Sequence, residues 1–194
     1  MMKINNLRRL NLGCGSDIKK GYMNLDKSKT KGVDVVHDLD KYPWPFPNNR
    51  FDEVYGRDAI EHVKDLFRAM QEIHRISKNG ATVRLIVPYW HSSGAFYPNH
   101  HYFFNTDSMK FFTEKDRTYD SFPGFTMEKV KLIPSKIGWL IPPLPLPKSV
   151  FPNVLNLRHL VSYLLGEIIL KIDFTLRVVK NKKNEKRLSF NYHS

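Results

Sequence analysis

The feature that most constrains this chain is the rhythm of its first 90 residues, where five short apolar runs alternate with connecting segments. Arg8 to Gly13 reads as a strand running into a glycine turn, and Met23 to Asp26 as a second strand ending in an acid. Val33 to Asp38 repeats that ending. Phe51 to Gly56 is a fourth strand, and Thr82 to Val87 a fifth, stopped by Pro88. Between the last two, Val63 to Ser77 has helical spacing: Val63, Leu66, Phe67, Met70, Ile73, His74 and Ile76 fall mostly on one face, and Asn79-Gly80 supplies a stop. Strands separated by crossover segments predict an α/β fold with a parallel sheet. In such sheets the ligand sits beyond the carboxyl ends of the strands. Gly13 to Asp17, Asp26, Asp38, Arg57 with Asp58, and Pro88 to His91 therefore take the functional reading first.

The rest of the chain adds fewer constraints. Proline spacing marks Lys41 to Asn49 as an irregular loop, and Asp107 to Phe112 reads as a short helix. Phe125 to Ile133 and Ile172 to Val179 read as two more strands. They are joined by an apolar insert, residues 134–171, far longer than an ordinary strand connection. It holds a proline-rich stretch, Ile141 to Pro152, and an amphipathic helix predicted over Val154 to Lys171. Ile137 to Lys171 is expected to cap an acceptor pocket, the proline-rich part above all, with plain packing on the domain as the alternative and a second subunit or a lipid surface as further partners for the helix's apolar face. The length of 194 residues fits a single domain.

Composition and charge exclude several classes. The single cysteine, Cys14, rules out an internal disulfide and any zinc site built from several thiolates. No apolar run follows Met1, so a secretory signal is not expected and a cytoplasmic home is. The longest apolar stretch, Val154 to Ile172, is interrupted by Arg158, His159 and Glu167, against a membrane span. The net charge of +12 is uneven. Residues 177–194 form a basic tail, with six cations against Glu185 between Arg177 and Arg187. Such a tail suits nucleic acid or an anionic surface. No aromatic residues interleave with the cations as a stacking platform requires, which favours a solvated terminus.

The glycine turn and the two strand-end acids form the cofactor constellation. Gly13-Cys14-Gly15 lets backbone approach a ligand closely. A dinucleotide fingerprint would place a third glycine where Ile18 stands, and its acid about 20 residues further on. Asp26 instead follows Gly15 by only 11 residues, which disfavours a pyrophosphate-bearing cofactor and a nucleotide-dependent oxidoreductase. A carboxylate at the end of the second strand can accept both hydroxyls of a ribose. One at the end of the third can accept an exocyclic adenine amino group.

In order along the chain stand Leu10-Asn-Leu-Gly-Cys-Gly-Ser-Asp, Asn24-Leu-Asp, His37-Asp-Leu, Pro45-Phe-Pro-Asn-Asn-Arg-Phe-Asp-Glu-Val-Tyr, Asp58-Ala-Ile-Glu-His-Val and Asn79-Gly-Ala-Thr-Val-Arg-Leu-Ile-Val-Pro. Over about residues 8–133 the chain resembles the class I S-adenosylmethionine-dependent methyltransferases, in the small group with a shortened first helix. The resemblance implies a Rossmann-like, mostly parallel seven-stranded sheet with flanking helices and an antiparallel last strand. It implies S-adenosyl-L-methionine as cofactor, with Gly13, Cys14 and Gly15 passing beneath it, Asp26 on the ribose, Asp38 with Leu39 at the adenine, and Arg57 with Asp58 near the methionine end. Asp17 stands where the family's loop usually has its third glycine.

The segment after the fifth strand, Tyr89 to Phe104, is the expected acceptor side. It carries His91, His100 and His101 but no acid or cysteine to complete a metal set, so no metal site is expected. His91 and His101 are the candidate bases, while His62 either lines the cofactor pocket or packs beside it. The Asn/Asp-Pro-Pro-aromatic signature of amino-directed nucleic-acid methyltransferases is missing, since the fourth strand runs into Gly56-Arg-Asp. The expected activity is methyl transfer to an acceptor the sequence does not name, a small molecule being favoured. The alternative is a non-catalytic adenosyl-binding module that uses its surface to hold a partner.

Overall fold

A computed structural model of the chain describes residues 7–114, 124–149 and 154–180. Most of the basic tail therefore lies outside the described residues, as do Val150, Phe151 and Pro152 of the insert. Seven strands form one sheet: β1 (Arg9–Leu12), β2 (Met23–Asp26), β3 (Val35–Val36), β4 (Phe51–Arg57), β5 (Ser77–Pro88), β6 (Phe125–Pro134) and β7 (Ile169–Val178). Their spatial order is β3-β2-β1-β4-β5-β7-β6. The first five run parallel, and β7 runs antiparallel to both β5 and β6. This is the Rossmann-like sheet with an antiparallel last strand that the sequence led us to expect. Leu10, Leu12, Leu25, Val54, Val83 and Leu85 are fully buried, as expected for parallel strands covered on both faces. No helix among the described residues is long and apolar enough to cross a membrane.

No helix forms between β1 and β2. Two buried asparagines hold that segment instead. Asn11 and Asn24 are register partners on the adjacent strands, and Asn11 Nδ2 donates to Asn24 Oδ1 at 3.0 Å and to Asp17 O at 2.8 Å. Asn24 Oδ1 also accepts from Lys19 N at 2.9 Å. The connection is thereby closed in a few residues, with its buried polar groups paired.

Helix α1 (Leu66–Ile76) starts where the Asp65 side chain accepts from Arg68 N at 2.9 Å. It ends before the Asn79-Gly80 stop read from the sequence, because β5 begins at once with Ser77. Strand pairing slips between Phe51 and Glu53, and Gly80 turns the chain at φ +77. Arg75, on the last turn of α1, fastens the proline-spaced loop to the helix. Its guanidinium donates to both oxygens of the buried Glu72, at 2.7 Å each. It also reaches the carbonyls of Trp44 and Phe46 and the Asn48 side chain, while Glu72 accepts from Trp44 N at 2.6 Å.

The insert departs most from expectation. A short helix α2 (Lys110–Thr113) precedes β6, and the insert proper holds α3 (Lys136–Trp139) and α4 (Leu157–Leu165). The helix predicted over 154–171 is thus split. Asn156 caps its start, accepting from His159 N at 3.0 Å, Gly166 at φ +61 ends it, and Ile169 onward is strand. Apolar spacing alone does not separate a buried strand from a helix. The helix, rather than the proline run, meets the loop after β5. Tyr89 and the buried His159 are hydrogen-bonded at 3.2 Å, and Trp90 packs on Tyr163 with ring centroids 6.0 Å apart. The proline run folds back on α4, with Leu157 N donating to Leu144 O at 2.8 Å and Arg158 Nε to Ile141 O at 2.8 Å. The other side of α4 is open: Leu164 and Leu165 are 76% and 71% exposed.

Candidate active site

The carboxyl ends of the parallel strands frame a cleft of about 220 Å³. Five sequence-predicted cofactor residues line it together: Gly13 after β1, Asp26 ending β2, Asp38 and Leu39 after β3, and Asp58 after β4. Three others do not line it. Cys14 is buried, its amide donates to Leu25 O at 2.9 Å, and burial with nearby acids pushes its thiol up to about 11, so it is no nucleophile. Gly15 contributes through its amide, which donates to Asp26 Oδ2 at 2.8 Å. Arg57 is exposed and lies 3.8 Å from the Asp58 carboxylate.

Each backbone special here has a geometric reason. Gly13 has φ +56, and a Cβ on it would come within 2.8 Å of Ala59 Cβ, so the turn after β1 sits directly against the segment after β4. Asp58 is itself left-handed at φ +52, and its carboxylate is ion-paired to Lys171 at the start of β7. Asp26 is oriented from two sides, accepting from Gly15 N through Oδ2 and from Ser28 N through Oδ1 at 2.9 Å. Each oxygen keeps a second lone pair for a ligand. Asp38 Oδ1 accepts from Asp40 N at 3.1 Å.

The cleft also takes in residues the sequence reading did not single out as a site. His37 and Asp40 flank Asp38, and Ala59 and Val63 follow Asp58, so reading each strand end as a whole finds them. Asn99 arrives from the loop after β5, which no local signal announces. His62 lines the cleft, resolving the choice between lining and packing. The two candidate bases are elsewhere in the framework. His91 Nδ1 donates to Ser162 O at 2.6 Å, its ring stacks on Trp90 at 4.8 Å, and it anchors α4. His101 is exposed, and its amide donates to Glu61 O at 2.8 Å. Neither borders the cleft.

Glu61 is the most unusual residue beside it. Its side chain is 0% exposed, and neither carboxylate oxygen has a hydrogen-bond partner. Burial, with Asp58 nearby, raises its pKa to about 7, and the neighbouring backbone amides of Glu61 and Ala59 only partly oppose this.

The fold and this cleft define a class I methyltransferase architecture. Residues 6–85, which hold every cleft-lining residue but Asn99, match the family model of a methyltransferase domain. The chain is similar in fold to an S-adenosylmethionine-dependent methyltransferase from Archaeoglobus fulgidus, at 15% identity and TM-score 0.58 over 90% of this chain and 87% of that one. It is similar to the methyltransferase bound to the Trm112 methyltransferase activator of Haloferax volcanii, at 19% identity and TM-score 0.55, covering 89% and 82%. It is also similar to phosphoethanolamine N-methyltransferase 2 of Haemonchus contortus in complex with S-adenosyl-L-methionine, at 18% identity and TM-score 0.55, covering 93% and 50%. No curated protein matches the sequence.

Proposed function

We propose that this protein binds S-adenosyl-L-methionine in the cleft and transfers its methyl group to a small-molecule acceptor. The observation that carries the reading is the meeting of Gly13, Asp26 and Asp38 in one cleft at the ends of adjacent parallel strands. The cleft suits a nucleoside: Asp26 offers free lone pairs to a ribose, and Asp38 and Leu39 offer an acceptor and an apolar contact to an adenine. When bound, the cofactor supplies a methyl carbon on a sulfonium, already electrophilic. The chain's own work is then to orient the acceptor in line and exclude water. Asp58, fixed by Lys171, defines the methionine end. The expected bases His91 and His101 stand away from the cleft, so an acceptor that must lose a proton would have to reach out of it toward the loop after β5 to use either.

A second reading has a specific observation behind it. One similar methyltransferase is held by an activator protein, and α4 presents exposed Leu164 and Leu165 on this chain. A partner-binding module that keeps the adenosyl pocket would use such a surface. Methyl-labelled cofactor incubated with separate pools of small molecules, RNA and protein distinguishes the readings. Label moving into the small-molecule pool supports the proposal. Cofactor binding with no transfer to any pool, with or without a co-purifying partner, supports the module instead.

A further inference from the structure

We propose that Glu61, His62 and His100 form a binding site for one divalent transition-metal ion at the edge of the cleft. One ligand atom from each residue lies within 4.8 Å of the others. The three come from two segments: Glu61 and His62 from the single 3₁₀ turn after β4, and His100 from the loop after β5. The His62 and His100 rings meet edge to face with centroids 4.5 Å apart.

Two independent observations point to a ligand. First, Glu61 is a fully buried carboxylate whose oxygens complete no well-aligned hydrogen bond, the amides of Glu61 and Ala59 only approaching it. Leaving such a group unsatisfied is costly, and a cation among these residues would satisfy it. Second, each histidine already has a carbonyl beside its other ring nitrogen. His62 Nδ1 lies 3.2 Å from Asn99 O, and His100 Nδ1 lies 3.2 Å from Ala95 O. A carbonyl only accepts, so both Nδ1 atoms carry the proton and both Nε2 lone pairs are left without one. Metal-binding histidines are tied in this way, through the other ring nitrogen to a carbonyl or carboxylate.

Two imidazoles and a carboxylate suit zinc, cobalt or iron(II) rather than magnesium or calcium. Zinc ligands at about 2.0–2.1 Å in a tetrahedron stand about 3.3 Å apart, so the set must close modestly on binding. Three protein ligands leave a position for water or an acceptor's oxygen. His62 and Asn99 belong to both the site and the cleft lining, which sets that open position beside the cofactor space. Sequence reading sought an acid only within the loop after β5. The acid stands next to His62, 39 residues before His100.

The test uses the full chain stripped with chelator and titrated with Zn²⁺ and Co²⁺. We expect one equivalent of either ion to bind, with visible d–d absorption for Co²⁺. Glu61→Gln, His62→Ala and His100→Ala should each weaken binding about tenfold or more, while His91→Ala and His101→Ala leave it as it was. Far-UV circular dichroism of the metal-free variants checks folding. X-ray absorption of the wild-type zinc complex gives a check independent of any variant: two imidazoles with oxygen donors are expected. No binding by the stripped chain, binding that survives all three ligand substitutions in folded protein, or a shell containing sulfur or fewer than two imidazoles overturns the proposal.

Discussion

Gly13→Ala tests the geometry of the cleft more sharply than any change to a charged group. The substitution adds one methyl and alters no hydrogen bond directly. At φ +56 an alanine incurs the left-handed penalty, about 1–2 kcal/mol. Its Cβ would also stand 2.8 Å from Ala59 Cβ, whereas carbon atoms pack at about 3.5–4.0 Å. Relieving that overlap requires the β1 turn and the segment after β4 to separate by roughly 1 Å, and comparable overpacking costs about 1–3 kcal/mol. The combined loss is on the order of 2–5 kcal/mol. Gly15→Ala is the internal control, because Gly15 is also left-handed, at φ +48, but its Cβ would meet nothing within 4 Å. It should lose only the conformational part. Urea denaturation of the two variants beside the wild type measures both, and binding of S-adenosylhomocysteine reports the opened cleft. If Gly13→Ala proves no less stable than Gly15→Ala, the close contact with Ala59 is not what holds this turn.

Three further perturbations probe the framework around the cleft. Arg75→Met removes the cation from the buried Glu72 and frees the Trp44 and Phe46 carbonyls. Breaking a buried pair on one side costs about 3–5 kcal/mol, so a large drop in the urea midpoint is expected, and a wild-type midpoint would contradict it. His74 is buried, its Nε2 donating to Val179 O at 3.0 Å, and burial lowers its pKa from 6.5 to about 4. The unfolded chain takes up the proton first, so stability is fully present above about pH 6.5 and declines toward pH 4, by on the order of 3 kcal/mol. His74→Gln should flatten that decline in pH-dependent melts, and an unchanged slope would assign the acid sensitivity to other groups. Gly138→Ala places a methyl against the Ile168 carbonyl and Pro134, where α3 joins the base of β7. A loss of about 1–3 kcal/mol is expected, accompanied by faster proteolysis of the insert, and wild-type stability with an intact insert would rule out the close approach.

What the sequence disclosed, and what it concealed, follows the range of the interactions involved. Strand ends with a glycine turn or a terminal acid are local signals, and Gly13, Asp26, Asp38 and Asp58 line one cleft. The first five strands were legible for the same reason, since short apolar runs between breakers have few other uses in an α/β chain. The split of α4 from β7 was not, because Ile168, Ile169 and Ile172 continue the helical spacing while Gly166 leaves the helix in a left-handed conformation. The role of His91 was hidden because its partner, Ser162 O, lies 71 residues away. Asn99 and His100 were illegible as neighbours of His62, since only the return of the loop after β5 brings them there. The missing first helix was half-visible. Its shortness could be counted, but the Asn11–Asn24 pair that replaces it depends on strand register.

The account rests on a nucleoside held by Asp26, and isothermal titration of S-adenosylhomocysteine into the wild type and Asp26→Asn measures this directly. The asparagine keeps the size of the side chain and one oxygen for the Gly15 amide, giving up only the bond from Ser28 N. It removes the charge that would accept the ribose hydroxyls. Hydrogen bonds to a charged group are worth about 1.5–3 kcal/mol, or roughly 10- to 150-fold in affinity. One-to-one binding by the wild type and a loss of that size in the variant are expected, with the fold intact by circular dichroism. No binding by the wild type, or equal affinity in the two proteins, would contradict it.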